Sequence, residues 1–129
     1  MDEHKELTRA EEEVMQVLWK LEKGFVKDLL DKFPEPKPAY NTVSTIVRIL
    51  EKKGFVEHNA YGKTHEYFPS ISKKDYSKNH MKGFVKGYFS NSFKQMVSFF
   101  AKEENLSVQE MEEIVRLMNL EIEKQKNQK

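Results

Sequence analysis

The sequence predicts a mainly α fold with a small β-hairpin: three helices and the hairpin over residues 1–71, then an all-helical region over residues 72–129. Three observations predict it. Apolar residues recur at helical spacing in Val14, Met15, Leu18, Trp19 and Leu21, and again in Val43, Ile46, Val47 and Leu50. The period then drops to two in Phe55-Val56-Glu57-His58 and in Thr64-His65-Glu66-Tyr67-Phe68. From Ser72 onward only helical spacing returns.

The first helix opens at Thr8 with a capping box, in which Glu11 answers the Thr8 hydroxyl, and Gly24 is its expected stop. Phe25 to Phe33 predicts a short second helix, which the stiff PEPKP connector from Pro34 to Pro38 cannot continue. The third helix is NTVSTIVRILEKKGF, Asn41 to Phe55, closed by Lys52-Lys53-Gly54. Asn59 to Lys63 is the expected hairpin loop, with Gly62 at its positive-φ position. Three helices followed by a hairpin is the order of a winged helix-turn-helix domain. In the second region Asp75 to Phe89 and Ser92 to Lys102 read as helices, parted near Ser90-Asn91. A second capping box, Ser107 with Glu110, starts the last one.

Composition narrows the function. The chain has 129 residues, 38% hydrophobic and 33% charged, with 12% aromatic residues that argue against disorder. It contains no cysteine, so disulfides, thiolate metal sites and cysteine nucleophiles are excluded, as expected for a cytoplasmic protein. The acidic start MDEHKELTRAEEE is no secretory signal, and no run approaches a membrane span. Net charge is +1, with a basic stretch from Lys73 to Lys94 that reads as a solvated face or as phosphate contact beside the first unit.

The third helix carries the chemistry. A DNA-reading helix enters a major groove about 12 Å wide with its backbone near the base edges, which favours short polar side chains. Asn41, Thr42, Ser44 and Thr45 are such residues, and Arg48, two turns in, has the reach for a guanine edge or a flanking phosphate. Tyr61 and Lys63 flank Gly62 at the hairpin tip, placed for the DNA backbone. The alternative is that the Ser and Thr residues merely cap the helix. A protein-interaction module is the rival function, which near-neutral charge leaves open. His4, His58, His65 and His80 have no metal-ligand spacing, and no nucleotide loop or catalytic motif occurs. The expectation is a protein that is not an enzyme and takes no metal or cofactor.

In the second region Phe84, Tyr88, Phe93, Met96, Val97 and Phe100, with Met111, Ile114, Val115 and Met118 on the last helix, need covering. A second copy of the chain is the simplest cover, which predicts a homodimer.

LTRAEEEVMQVLW, NTVSTIVRILEKKGFV, GKTHEYFP and FAKEENLSVQEMEEI, in that order and spacing from Leu7 to about Leu120, resemble the penicillinase-repressor family of the BlaI/MecI/CopY type. The resemblance implies a winged-helix transcriptional repressor that dimerises through its C-terminal helices on a palindromic operator. For β-lactam-responsive members it implies release by cleavage in the dimerisation region, triggered by a membrane-bound sensor metallopeptidase. The matching position is Phe99-Phe100, where those members have Asn-Phe. The absence of cysteine rules out the thiolate copper sensing of other members. Thr42 and Thr45 match the family pattern, whereas Ser44 and Ile49 stand where arginines occur in well-known members.

Overall fold

A computed structural model of the chain describes residues 6–104 and 106–128, so His4 lies outside the described residues. The chain divides into two compact units, Met1–His80 and Met81–Lys129.

In the first unit α1 (Arg9–Leu21) begins with the expected capping box. The Glu11 amide donates to Thr8 Oγ1 at 3.1 Å and the Thr8 amide to Glu11 Oε1 at 2.9 Å. The helix stops earlier than Gly24. Glu22 takes the positive φ of 75° and returns its amide to the Leu18 carbonyl. Gly24 instead exchanges two backbone hydrogen bonds with Tyr67, at 2.9 and 2.8 Å, which ties the α1–α2 connection to the hairpin. A Cβ there would meet Asp28 Cβ at 3.2 Å, so the close approach of α2 explains the glycine.

Helix α2 (Val26–Asp31) is shorter than the apolar run suggests. Phe25 stands outside it, its amide held by Asp28 Oδ2 at 3.0 Å, and the Lys37 ammonium collects the carbonyls of Leu30, Asp31 and Phe33 at its end. Helix α3 (Tyr40–Lys53) ends at Gly54, whose φ of 90° lies in the left-handed region that a Cβ disfavours. Strands β1 (Val56–Tyr61) and β2 (Thr64–Pro69) pair antiparallel, from Val56↔Pro69 to Tyr61↔Thr64. Only Gly62 and Lys63 remain in the turn, so Asn59 to Tyr61 of the expected loop are strand. Gly62, at φ 64°, supplies the positive-φ residue that so tight a connection needs.

Val14, Met15 and Leu18 of α1, Leu29 of α2, and Val43, Val47 and Leu50 of α3 bury their side chains together, with Phe55, Val56 and Tyr67 from the hairpin side. This winged helix-turn-helix core leaves the opposite side of α3 free. Ile46, the remaining residue of the predicted stripe, is only partly buried at its edge.

Helix α4 (Lys73–Phe89) starts within the first unit, so the expected boundary at 71/72 falls before the observed division. Aromatic packing accounts for the difference. Tyr76 lies against Trp19 and Phe55, with ring centroids 5.6 and 6.0 Å apart, and the Trp19 indole N–H donates to the Ile71 carbonyl at 2.8 Å.

The second unit continues with α5 (Phe93–Glu103) and α6 (Val108–Lys126), capped by Ser92 and Ser107 through the amides of Gln95 and Glu110. Ser90 and Asn91 turn the chain at φ 52° and 62°. Phe84, Phe89, Phe99 and Phe100 touch ring to ring, yet among the described residues of this unit only Val85 is fully buried.

Candidate nucleic-acid interface

Helix α3 starts without help from its polar side chains. Its N-cap is Ala39, and no side chain caps it. Capping therefore does not account for Asn41, Thr42, Ser44 and Thr45. Asn41, Thr42, Thr45 and Arg48 are exposed, and Ser44 is half-buried. A helix face this short-chained and unengaged is one that another surface can approach closely.

Apart from Thr42, the polar side chains fall on two parallel ridges of residues four apart. One is Asn41-Thr45-Ile49, which points away from the core stripe. The other is Tyr40-Ser44-Arg48, which lines a groove of about 600 Å³ between α3, the start of α2 and the hairpin. Arg48 Nη1 donates to Ser44 Oγ at 2.9 Å, so the guanidinium is drawn toward this groove. Lys63 reaches the groove from the hairpin turn and Lys27 from α2. The hairpin tip is braced on the same side, since Tyr61 meets the Phe25 ring edge-on with centroids 6.0 Å apart.

Three cations thus face the groove against one carboxylate, Asp28, which is already accepting from the Phe25 amide. Burial, reinforced by the nearby Glu51 carboxylate, raises the Tyr67 phenol above its ordinary pKa, so it adds no negative charge at neutral pH. The groove lining thus carries an excess of cations although the chain as a whole carries only +1.

His58 and His65 do come together on the hairpin. Their rings stack with centroids 3.9 Å apart and an interplanar angle of 7°, and His58 Nδ1 lies 2.6 Å from Glu51 Oε2. Ring nitrogens carry their lone pairs in the ring plane, so two parallel stacked rings do not converge on one ion. Among the described residues no cluster of three or more potential ligands occurs.

A family model described as penicillinase repressor matches residues 7–119. The chain belongs to the penicillinase repressor family. The methicillin resistance regulatory protein MecI of Staphylococcus aureus (strain N315) is 26% identical over 115 residues, 88% of this chain and 94% of that protein. The penicillinase repressor of Bacillus licheniformis is 26% identical over 125 residues, 96% and 94% of the two chains. A solution structure of the DNA binding domain of the repressor BlaI is 28% identical, covers 58% of this chain and 93% of that one, and superposes with a TM-score of 0.49. The relatives of this penicillinase-repressor chain are thus named as regulators and repressors, not as enzymes.

Sequence reasoning missed Lys27 and Tyr40 as neighbours of Arg48. Lys27 lies on another helix, and only the packing of α2 against α3 brings it to the groove. Tyr40 carried a signal, since it stands four residues before Ser44 on the same helical row; in the structure the residue is 54% exposed. Of the residues expected to cover a dimer, Tyr88, Phe93, Val97, Phe100, Ile114, Val115 and Met118 are exposed. Phe84, Met96 and Met111 are half-buried. Phe99 and Phe100 lie inside α5. Among the described residues no helix is long and apolar enough to cross a membrane.

Proposed function

We propose that this protein is a cytoplasmic, sequence-specific transcriptional repressor that acts as a homodimer on a palindromic operator in double-stranded DNA. The observation that carries the reading is the uncapped polar face of α3 beside a cation-lined groove, in a chain of the penicillinase repressor family. In this reading α3 lies in the major groove. Asn41, Thr42 and Thr45 approach base edges there, and Tyr61 and Lys63 meet the flanking backbone.

The apolar side chains on α4, α5 and α6 are the surface for a second copy, since Ile114, Val115 and Met118 are 43%, 57% and 58% exposed on one face of α6. A single head makes few phosphate contacts. Two tethered heads gain affinity through effective concentration, so a signal that separates the copies releases the operator. Proteolysis at Phe99-Phe100 by a membrane-bound sensor metallopeptidase is one such signal. The bond lies within α5, so that helix must open locally before a protease can engage it.

Fluorescence anisotropy with a duplex enriched from a random-sequence pool tests the reading. Duplex affinity is expected to fall steeply with salt, and Met118→Glu with Ile114→Glu to yield monomers that bind the same duplex at least tenfold more weakly. A protein that binds no duplex at low salt would be an interaction module instead. Monomers of undiminished affinity would refute the dimer mechanism.

A further inference from the structure

Arg48 stands where two functions diverge. An arginine on the Asn41-Thr45-Ile49 ridge would project toward base edges. Arg48 belongs to the neighbouring ridge, and its hydrogen bond to Ser44 inclines it to the groove side of α3. There it shares the groove with Lys27 from α2 and Lys63 from the hairpin turn. All three side chains are exposed, and none forms an ion pair with a described residue. Three cations converge from three separate elements, and the one carboxylate between them is engaged with a backbone amide.

We propose that Lys27, Arg48 and Lys63 form a clamp for one phosphodiester strand of bound DNA, and that Ser44 is the positioning residue that assigns Arg48 to the backbone instead of to a base. The inference deepens the repressor reading and rests on it. Charge complementarity selects the occupant, because the groove is open along α3 and continuous with the ridge that would face the bases. A polyanionic strand extends along such a groove and can offer a phosphate to the cation of each element. The division of labour also gives a reason for Ser44. A short hydroxyl at that position can accept from the arginine four residues later, and a long cation cannot. Sequence readout is left to Asn41, Thr42 and Thr45, and affinity to the clamp.

The test uses the full-length protein and a duplex enriched from a random-sequence pool, with a panel of single base-pair variants of it. Each of Lys27→Ala, Arg48→Gln and Lys63→Ala is expected to weaken all duplexes by a common factor. Each should also lower the slope of log affinity against log salt by about 1.8 for the dimer, the share of two phosphate contacts, one from each copy. Ser44→Ala should lose part of that slope, and Ser44→Thr, which keeps the hydroxyl, should restore it. Asn41→Ala should instead change the ranking of the panel and keep the slope. The clamp is overturned if Arg48→Gln relaxes preference at one base pair with the slope intact, or if Lys27→Ala or Lys63→Ala leaves the slope unchanged. Stronger displacement by inorganic phosphate than by chloride at equal ionic strength would reveal a small-anion site and would overturn the strand assignment alone. Failure of the unaltered protein to bind duplex at low salt would remove both the clamp and the repressor reading.

Discussion

Lys53 Nζ lies 2.7 Å from Glu11 Oε1, an ion pair between the last turn of α3 and the first turn of α1. The Glu11 side chain is only 7% exposed and that of Lys53 24%. The same carboxylate closes the capping box with Thr8, so one side chain fixes both the start of α1 and the end of the candidate recognition helix. The contact spans 42 residues of sequence and ties the C-terminal turn of α3 to the N-terminal turn of α1.

Glu11→Ala is expected to destabilise the first unit by about 1–2 kcal/mol. Removal strands a partly buried ammonium and uncaps the Thr8 amide, and water at Lys53 keeps the cost below that of a fully buried pair. Urea unfolding followed by the fluorescence of Trp19, the sole tryptophan, measures it. A change under 0.3 kcal/mol would show that the pair is screened as surface pairs are.

Acid sensitivity follows from the same contact. Burial pushes the Glu11 carboxyl up, but the Lys53 ammonium and the Thr8 amide together outweigh it and leave its pKa below the ordinary value. A depressed carboxyl contributes stability that is full above the unfolded-state pKa, roughly 4.3 for glutamate, and that is lost as pH falls through the lower folded value. Unfolding curves from pH 6 to pH 3 should therefore converge for the unaltered protein and Glu11→Gln, the difference shrinking only below about pH 4.5. A constant difference across that range would contradict the assignment.

Tyr76 should behave as a residue of the first unit although it lies on α4. Its ring packs on Trp19 and Phe55 across the 71/72 position. Tyr76→Ala is expected to cost about 2 kcal/mol, from lost apolar burial and two aromatic contacts, and to shift the Trp19 emission toward that of a solvated indole. By the same logic a chain ending at His80 should be more stable than one ending at Ile71. Equal stability would mean that the Tyr76 contacts contribute nothing.

Local signals in the sequence matched the elements whose causes are themselves local. The capping boxes at Thr8 and Ser107 lie where the side-chain pattern puts them, because a helix start is decided by residues three apart. Gly54 and Gly62 sit at positive φ for the same reason. Elements bounded by distant contacts were misplaced. The α1 stop moved from Gly24 to Glu22 because Gly24 was needed by Tyr67, which follows it by 43 positions in the chain, and β1 absorbed Asn59 to Tyr61 because β2 pairs with them.

The candidate site divides along the same line. By itself the sequence determined that α3 has a core stripe and an opposed face of short polar side chains, since a 3.6-residue period fixes which residues share a side. It also determined membership in a repressor family, through motifs whose order is written in the chain. Only the tertiary structure decided that this face forms two ridges with different surroundings. Tyr40, Ser44 and Arg48 line a groove with Lys27 and Lys63 because α2 and the hairpin pack beside that flank of α3. Helical period is a property of consecutive residues, whereas the potential at Arg48 is a sum over side chains that only packing brings within a Debye length of one another.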